Sequence, residues 1–425
     1  MRGHGSGNCD LLDEGVPQAV EGGQLAEQME YPEPKVPAHP VLSWGTLCGG
    51  VFTRQPSVLD VGDRLDVMSG RMALAHALQH MGAGPGTKIL VPAYHCTALV
   101  EPIVWCGATP VFYRTHADLT ADLDDLASKV DASTRALLVI HYFGFPQDLA
   151  TLRAFSDAHD LCLVEDCAHA FFGECQGRPL GSVGDYAIAS WWKFFPMLEG
   201  GCLTSGRYPV GRIPLKGSGL NFEARSLVNA LERAGHLGRL RPLSWLLAGL
   251  FRLKDMVLAW RKRRQRPDPE QRTLVPTGSP AFDAHWIDRR PSRFSRFVGR
   301  AAGHARIVRR RRRNYLRLQH ALREQPGCSL VFPDLPPGVV PYVFPLLVDE
   351  PERVFPFLKR RGVPIIRFGE YLWSGVDDTI CSVAADYSRR LFQFPCHQEL
   401  QESELTWILD EVRSVLSQPA VEQPA

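Results

Sequence analysis

The 11 cysteines of this 425-residue chain include no Cys-x-x-Cys pair and follow no regular spacing. Zinc ribbons and disulfide frameworks both depend on such spacing, so the pattern favours free thiols in a reducing compartment. No apolar run approaches the roughly 18 residues that a membrane-spanning helix needs. The chain starts with Met1-Arg2-Gly3-His4 and continues into a polar stretch, without the apolar core of a signal peptide. These absences predict a soluble, cytoplasmic protein.

Net charge is also nearly absent, because 48 Lys and Arg residues against 46 Asp and Glu residues give a formal net charge of +2. The global field that would attract nucleic acid is therefore missing. Positive charge is concentrated locally, in the five consecutive arginines Arg309–Arg313 of a helical pattern. Five arginines in a row wrap around a helix, so some must face solvent. The run predicts a solvated face with contacts to a diphosphate, and a nucleic-acid surface is the alternative.

Between residues 64 and 205, short apolar runs alternate with helical patterns. The runs KILVPAY, TPVFY, RALLVIHYF and LCLVEDC have the length and composition of buried strands. The stretches SGRMALAHALQHMG and PQDLATLRAFSDAHD carry apolar residues at helical spacing. This alternation predicts an α/β fold with a largely parallel sheet. In such sheets, ligands bind where strands end and loops begin.

Changes in composition divide the chain into five segments. Residues 1–40 are rich in Gly, Glu and Pro and predict a disordered N-terminal arm. Residues 41–206 contain the large α/β domain, and residues 207–290 are interpreted as a helical, basic insert. Strand and helix patterns alternate again in residues 291–417, which predicts a smaller α+β domain. Residues 418–425 are interpreted as a frayed tail.

The insert contains an amphipathic stretch, residues 242–264, with a hydrophobic first half and a basic end. A pair of helices packed on the body of the protein or at a subunit contact is the preferred interpretation. A helix lying on a membrane surface is the alternative.

Three short motifs carry polar residues where an α/β sheet would bind a ligand. Ser69 and Gly70 stand directly before a helix, where backbone N–H groups form an anion cradle. Asp166 ends a strand and His169 follows three residues later, so both side chains can reach one ligand ring. Lys193 lies in SWWKFFPMLEGG, between two tryptophans and two phenylalanines.

Each of these motifs also has a purely structural interpretation. Ser69 could serve only as a helix cap. Asp166 could cap a following helix, with His169 as a satisfied, partly buried histidine. Lys193 could pack its aliphatic stem among the aromatic rings while its amine reaches water.

Two further motifs lack the context that their chemistry needs. His76 and His80 are four residues apart on one helix face, but the glutamate of a zinc peptidase motif is missing, so no metal site is predicted. GAGPGT follows a helix instead of opening one after a strand, which argues against a dinucleotide-binding fingerprint.

In their order along the chain, the motifs resemble the DegT-type (DegT/StrS) family of pyridoxal-phosphate (PLP) sugar aminotransferases. The resemblance extends from about Asp66 to Leu416 and is carried by SGRMAL, GTKILVPAYHC, GATPVFY, VIHYFGFPQDL, LVEDCAHAFFGECQGRPLGSVGDYAIAS, WWKFFPMLEGGCL and, more weakly, VPYVFPLLV and FPCHQEL. It implies a fold-type-I PLP-dependent transferase. Its large PLP-binding domain would have a mostly parallel, mixed sheet flanked by helices, followed by the smaller α+β C-terminal domain.

The resemblance also assigns roles around the cofactor. Lys193 would form a Schiff base with PLP, which needs a neutral amine that desolvation favours. Asp166 would pair with the pyridinium nitrogen and make the ring an electron sink. His169 would lie near the ring hydroxyl. His95, in the PAYHC turn, would cover one face of the ring.

The phosphate of PLP would be held by the start of the first helix. Gly70 and Arg71 would contribute backbone N–H groups, together with Ser69 and Ser190. The family commonly has Ser-Phe-His-x-x-Lys before the lysine, whereas only two residues separate Ser190 from Lys193 here. The family also uses an asparagine-containing loop of the neighbouring subunit, for which GLNFEAR is the candidate counterpart.

The implied activity is transfer of an amino group from an amino-acid donor, such as glutamate, to a nucleotide-linked keto sugar, by a homodimer with active sites at the subunit contact. Dehydration and amination of a cyclitol are the alternatives within the family. In the dehydratases the lysine is replaced, so Lys193 favours transamination. A non-catalytic scaffold or membrane-surface protein is the alternative from another class.

Overall fold

The computed structural model describes residues 31–48, 55–241 and 282–418. Most of the predicted N-terminal arm, the amphipathic stretch 242–264 and the end of the tail lie outside the described residues. Within these ranges, no helix combines the length and the apolar character needed to cross a bilayer. The cysteines there are free thiols, as their spacing predicts.

The larger sheet is built from the apolar runs of the first half of the chain. Its strands are β1 Asp63–Val67, β2 Lys88–Pro92, β3 Thr109–Tyr113, β4 Thr134–Ile140, β5 Cys162–Asp166, β8 Tyr186–Ser190 and β9 Gly201–Ser205, and a separate hairpin consists of β6 Glu174–Cys175 and β7 Arg178–Pro179. The seven strands follow the order β1-β9-β8-β5-β4-β2-β3. The five strands from β3 to β8 in this order run parallel to one another. Strand β9 is antiparallel to both of its neighbours, β8 and β1. The predicted mostly parallel, mixed sheet is confirmed.

Helices connect and flank these strands because parallel neighbours need crossover connections. They are α1 Trp44–Cys48, α2 Gly70–His80, α3 Thr97–Trp105, α4 Leu123–Lys129, α5 Leu149–Ala158 and α6 Leu220–His236. Polar side chains cap several of them: Ser69 accepts from the N–H of Met72, and Asp122 and Asp148 play the same part for α4 and α5. These caps fix where each helix starts relative to the strand before it.

The smaller sheet belongs to the C-terminal part of the chain. It contains β10 Cys328–Leu330, β11 Val343–Val348, β12 Ile366–Arg367 and β13 Leu391–Pro395, in the antiparallel order β10-β11-β13-β12. The helices around it are α7 Arg293–Ala301, α8 His304–Leu322, α9 Pro351–Arg361, α10 Ser382–Arg390 and α11 Glu402–Leu416. This is the α+β arrangement that the sequence predicts.

The two sheets share one hydrophobic core. Phe145, which follows β4, stacks on Phe332 at 3.8 Å between ring centroids, and Phe143 meets Phe368 edge to face at 5.5 Å. Aromatic contacts of this kind bury large areas in a defined geometry. The smaller sheet is therefore packed directly behind the residues that follow β4.

Residues 31–40 differ from the disordered arm that their composition predicts. Val36 is buried, the N–H of Lys35 donates to Gly362 O at 3.0 Å, and the carbonyl of Pro37 lies 2.9 Å from His397 Nε2. A proline-rich stretch loses little further backbone entropy on ordering, so a few such contacts can hold it. The low hydrophobicity of this stretch predicts disorder. The sequence carries no signal for the surface on which the stretch packs.

Candidate active site

The site lies at the carboxyl ends of two adjacent strands, β5 and β8. Asp166 is the last residue of β5 and pairs with Ile188 of β8, which ends two residues later at Ser190. The chain then forms a single 3-10 turn, Trp191–Lys193. Parallel strands thus bring the Asp166 carboxylate and the Lys193 amine to the same edge of the sheet.

The start of α2 meets the same edge. A Cβ at position 70 would lie 2.7 Å from Ser190 Oγ, and one at position 201 would lie 2.8 Å from the backbone nitrogen of Gly70. Glycine at both positions allows the serine hydroxyl and the first N–H groups of α2 to approach one another. Free N–H groups at a helix start and a hydroxyl form a site for an anion.

Lys193 is partly buried between aromatic rings. Its Nζ lies 5.4 Å from the ring centroid of Tyr342 and 5.7 Å from that of Trp192. Burial lowers the pKa of Lys193, whereas Cys96, when ionised, and the Asp166 carboxylate oppose this shift. A lowered pKa increases the fraction of neutral amine, which is the nucleophilic form.

Asp166 is buried and does not cap a helix, because a turn follows it. Its Oδ1 accepts a hydrogen bond from the N–H of Ala168 at 2.8 Å. Burial raises the pKa of Asp166, whereas the nearby Lys193 and the Ala168 N–H act in the opposite direction. A second cationic group beside this carboxylate would stabilise its ionised form.

His169 is buried in a stack of aromatic rings. It lies between Tyr342, at 4.8 Å, and Phe143, at 5.5 Å between centroids. The N–H of Phe143 donates to His169 Nδ1 at 3.4 Å, so the proton of the neutral ring is on Nε2. Burial, followed by the Lys193 charge, holds the pKa of His169 well below its usual value. His169 is therefore a neutral hydrogen-bond donor.

Arg71 and Ser69 lie at the anion side of the site. Ser69 caps α2, because its Oγ accepts a hydrogen bond from the N–H of Met72 at 3.4 Å. Ser69 therefore has the helix-capping role of its structural interpretation. Arg71 pairs with Glu101 at 3.5 Å, and its charge helps to lower the pKa of Lys193. The start of α2 that Ser69 caps lies beside the Ser190 hydroxyl.

His95 serves the turn after β2. Its Nδ1 lies 2.8 Å from Ala93 O, its Nε2 accepts from the N–H of Trp373 at 3.1 Å, and its ring stacks on Phe112 at 5.0 Å. The side chain is fully buried, and burial lowers its pKa to about 4. Both ring nitrogens are thus bonded within the protein and Phe112 covers one face of the ring, so the ring-covering role that the resemblance implies stays a prediction.

The next residue, Cys96, is partly exposed and interacts electrostatically with Lys193, Asp166 and Arg71. It lies just before α3, and burial raises the pKa of its thiol. The sequence does not distinguish the surroundings of these two consecutive residues. Those surroundings depend on the backbone angles of the turn.

The arginine run contributes structural contacts and lies next to the site. Arg311 is fully buried, Arg310 and Arg312 donate to the backbone carbonyls of Leu400 and of Pro336 and Val339, and Arg313 pairs with Glu402 at 2.9 Å. Arg309 and Arg313 are exposed, which agrees with the prediction that some of the five arginines face solvent, whereas Arg311 is buried. Helical periodicity did not reveal which arginine meets the body of the protein, and the contact with a diphosphate stays a prediction.

Two other residues of the site come from distant parts of the chain. Tyr342 precedes β11 and forms the aromatic floor beneath Lys193 and His169. His39, in the N-terminal stretch, meets Trp192 edge to face at 4.8 Å. Burial, with Arg233, Lys193 and Arg311 nearby, lowers the pKa of His39 to about 3. Tyr342 lies in VPYVFPLLV, one of the weaker motifs of the family resemblance, whereas no recognisable motif surrounds His39.

Glu199, in the Glu-Gly-Gly after the lysine, is buried among three serine hydroxyls. Its Oε1 accepts from Ser226 of α6 at 2.8 Å, and from Ser292 and Ser295 at the start of α7 at 2.6 Å each. The acid thus ties the segment after Lys193 to two helices. It has a structural role that the sequence does not indicate.

A buried cluster behind the sheet edge is a hydrogen-bond network and not a metal site. His141 Nε2, Glu165 and Cys167 lie within 4.8 Å of one another. The N–H of Gln147 donates to His141 Nδ1 at 3.2 Å, so Nε2 carries the proton and donates to Glu165 at 2.9 Å. Glu165 accepts further bonds from the N–H groups of Gly181, Val183 and Gly184. Its lone pairs are therefore already occupied by donors.

His76 and His80 form hydrogen bonds with different parts of the protein. His76 Nε2 lies 2.8 Å from Ile287 O, whereas His80 Nδ1 lies 2.8 Å from the Tyr186 hydroxyl. The two rings are bonded to different parts of the protein.

Residues 59–206, which contain most of this site, match the DegT/DnrJ/EryC1/StrS aminotransferase family. The chain is 33% identical over 150 residues to a GDP-perosamine synthase of Vibrio cholerae, with 35% of this chain and 41% of the relative covered. It is 37% identical over 141 residues to a dTDP-3-amino-3,4,6-trideoxy-alpha-D-glucose transaminase of Streptomyces venezuelae, covering 33% and 36%. It is 35% identical over 139 residues to an L-glutamine:2-deoxy-scyllo-inosose aminotransferase of Streptoalloteichus tenebrarius, covering 32% and 31%. The matches thus span about two fifths or less of the length of these curated relatives.

Solved structures resemble the fold over most of the chain. The aminotransferase TlmJ from Streptoalloteichus hindustanus superposes with a TM-score of 0.60 at 22% identity, covering 89% of this chain and 97% of that one. DesV of Streptomyces venezuelae gives a TM-score of 0.57 at 22% identity, covering 84% and 86%. At this identity the likeness establishes the fold alone.

Proposed function

Because residues 59–206 match the DegT/DnrJ/EryC1/StrS aminotransferase family, we propose that this chain is a PLP-dependent aminotransferase of that family. It moves an amino group from an amino-acid donor to a keto sugar. The observation that carries the proposal is the convergence of Lys193, Asp166 and His169 beside the start of α2. This arrangement offers a nucleophilic amine, a carboxylate, a neutral donor and an anion cradle at one sheet edge.

The donor set fits the phosphate of PLP. The Gly70 position would bring a Cβ to 2.7 Å from Ser190 Oγ, so only glycine keeps the hydroxyl and the helix start together. In our proposal the N–H groups of Gly70 and Arg71 and the hydroxyl of Ser190 hold the phosphate. Ser69 keeps these N–H groups oriented by capping α2.

The donor set also fits the ring of PLP. Asp166 would accept from the ring nitrogen, whose positive charge would offset the rise in the carboxyl pKa that burial causes. His169 would donate from Nε2 to the ring hydroxyl. Cys96, in place of His95, is our candidate for one face of the ring, because it is the residue of the turn that interacts with Lys193 and Asp166.

When bound, PLP supplies an electron sink for the negative charge that develops on the reacting carbon during amino transfer. Lys193 Nζ would hold the cofactor and, once free, its amine would accept and return the proton that is moved during amino transfer. Its lowered pKa favours the neutral form of the amine, which is the form that can accept a proton. The Trp192 and Tyr342 rings exclude water from the amine.

Nucleotide-linked keto sugars are the proposed acceptors, and glutamate is the proposed donor. The names of the GDP-perosamine synthase and of the dTDP-sugar transaminase support this class. A cyclitol is the second candidate acceptor, supported by the 2-deoxy-scyllo-inosose aminotransferase. We further propose a homodimer, as the family resemblance implies.

The test begins with purified protein incubated with PLP. We expect a yellow absorbance band, and borohydride should fix the cofactor covalently at Lys193, as located by peptide mass. Lys193→Ala should bind PLP without fixation, whereas the matched control Lys88→Ala, an exposed lysine paired with Asp131, should behave as wild type. A wild-type protein that never retains PLP would refute the proposal.

The acceptor is tested with the loaded enzyme and glutamate. GDP-, dTDP- and UDP-linked keto sugars are compared with 2-deoxy-scyllo-inosose, and the aminated product is detected by mass. Amination of a nucleotide sugar supports our first candidate, and amination of the cyclitol alone supports the second. Release of ammonia or water without an aminated product would indicate dehydration instead.

A further inference from the structure

One guanidinium of the arginine run lies in the core, directly behind the lysine turn. Arg311 of α8 is 0% exposed, and its Cζ lies 4.4 Å from the centroid of the Phe194 ring. Its hydrogen bonds go to neutral acceptors, three backbone carbonyls and one amide. Burying a cation without a bonded carboxylate is costly, so this position has a strong structural or functional reason.

All three nitrogens of the Arg311 guanidinium are used. Nη2 donates to Lys193 O at 2.7 Å, and Nη1 donates to Tyr342 O at 2.8 Å and Pro341 O at 3.2 Å. Nε donates to Gln398 Oε1 at 3.0 Å. The planar fork of arginine satisfies this set, whereas the ammonium group of lysine has a different geometry.

Gln398 extends the same contact to the next peptide. Its Nε2 donates to Phe194 O at 2.8 Å while its Oε1 receives the Arg311 bond. Arg311 and Gln398 together thus hold two consecutive carbonyls of the lysine turn. Both come from the C-terminal part of the chain, more than a hundred residues from the turn.

The contacts of Arg311 reach both sides of the reactive amine. One bond fixes the peptide that carries Lys193, and another fixes the peptide of Tyr342, whose ring lies 5.4 Å from Lys193 Nζ and stacks on His169. The lysine, the aromatic floor and the histidine are therefore oriented through one guanidinium.

We propose that Arg311, together with Gln398, is a positioning residue that sets the Lys193 amine against the Tyr342 ring and so makes it reactive towards an aldehyde. The inference rests on the proposed function only for the identity of that aldehyde as PLP. Displacement of a reacting atom by about 1 Å can cost roughly 100-fold in rate, so contacts that hold a turn can control chemistry without touching the reactants.

The chain offers a matched control in the next arginine. Arg312 lies on the same helix and also donates to two backbone carbonyls, those of Pro336 and Val339, but it has no bond to the lysine turn. Arg312→Met therefore reports the cost of losing an arginine–carbonyl contact on α8. Arg311→Met and Arg311→Lys measure the effect of losing the contacts specific to Arg311. Arg311→Lys removes the guanidinium geometry but keeps the positive charge.

The experiment measures two quantities on folded protein, as judged by circular dichroism and thermal unfolding. One is the rate at which PLP becomes fixable to Lys193 by borohydride. The other, on cofactor-free protein, is the pH midpoint of Lys193 acetylation by acetic anhydride, followed by peptide mass. The second readout does not require PLP, so failure of the proposed function would leave it intact.

We expect both Arg311 variants to attach PLP roughly 10- to 100-fold more slowly than wild type and Arg312→Met. The Lys193 midpoint should rise in both, because the amine moves towards water. If Arg311→Lys restores wild-type rate and midpoint, the effect is one of charge and the positioning proposal is overturned. Wild-type behaviour of Arg311→Met would overturn it as well.

Gln398→Met serves where the Arg311 variants fail to fold. It removes the bond to Phe194 O and one acceptor of Arg311 but leaves the buried charge balance unchanged. We expect PLP attachment to slow and the Lys193 midpoint to rise, each by less than for Arg311→Met. An unchanged midpoint and an unchanged rate would again overturn the proposal.

Discussion

At the scale of single residues, the site depends on which of two neighbours faces inwards. His95 and Cys96 are consecutive, yet His95 is bonded at both ring nitrogens behind the turn and Cys96 lies near Lys193 and Asp166. The positions of Lys193, Asp166 and His169 at one sheet edge could be predicted because each ends or follows an apolar strand, whereas their roles are implied by the family resemblance. The orientation of the PAYHC turn could not, since it is set by contacts with Phe112 and Trp373 that lie elsewhere in the chain.

The orientation of Cys96 leads to a protection experiment. Cys96 and Cys106 are both partly exposed thiols at the two ends of α3, and burial raises the pKa of each, that of Cys106 to about 11. We expect iodoacetamide to alkylate both slowly at neutral pH, and PLP to protect Cys96 but not Cys106. Peptide mass spectrometry gives the two rates separately. Equal rates with and without PLP at Cys96 would remove it from the cofactor site.

At the scale of elements, the periodicity of apolar residues predicted the strands and helices, but it did not predict the contacts between them. The apolar runs predict the strands of the parallel sheet, since strands buried on both faces are continuously apolar. The helix His304–Leu322 also follows from its pattern. Periodicity could not distinguish buried Arg311 from exposed Arg309, because the arginine run carries no apolar residue to mark the inner face.

The Glu199 cluster ties three elements together and predicts a measurable cost. In Glu199→Ala, the hydroxyls of Ser226, Ser292 and Ser295 lose their common acceptor in a buried place. We expect the free energy of unfolding to fall by about 2 to 5 kcal/mol, because buried hydroxyls without partners are costly. Urea denaturation measures the change. Glu324→Ala, at an exposed position, should stay within about 0.5 kcal/mol of wild type.

At the scale of the whole molecule, the prediction succeeded where local sequence determines structure and failed where distant segments meet. The order of motifs from Ser69 to Gly201 gave the sheet edge and its polar groups. Tyr342, Arg311 and Gln398 are supplied to the same place by the smaller sheet and its helices. Such long-range contacts are fixed by packing and hydrogen-bond satisfaction, which no single stretch of sequence encodes.

Several buried histidines make the free energy of unfolding depend on pH in the same direction. Burial holds the pKa of His39 at about 3 and that of His95 at about 4, and keeps the pKa of His169 and His397 well below 6.5. Below pH 6.5 the unfolded chain therefore binds protons that the folded chain does not. Because the unfolded state gains protons, the free energy of unfolding falls as the pH falls.

The expected slope follows from the number of such residues. Each histidine that stays neutral in the folded state contributes up to about 1.4 kcal/mol per pH unit between its unfolded and folded pKa values. The loss should thus begin near pH 6.5, above the range where ion-paired carboxylates such as Asp131 become protonated. Urea denaturation between about pH 8 and pH 5 measures it. His397→Asn should reduce the slope by roughly one proton, since it removes one of these groups, and a free energy that is flat through this range would contradict the buried, neutral state of these rings.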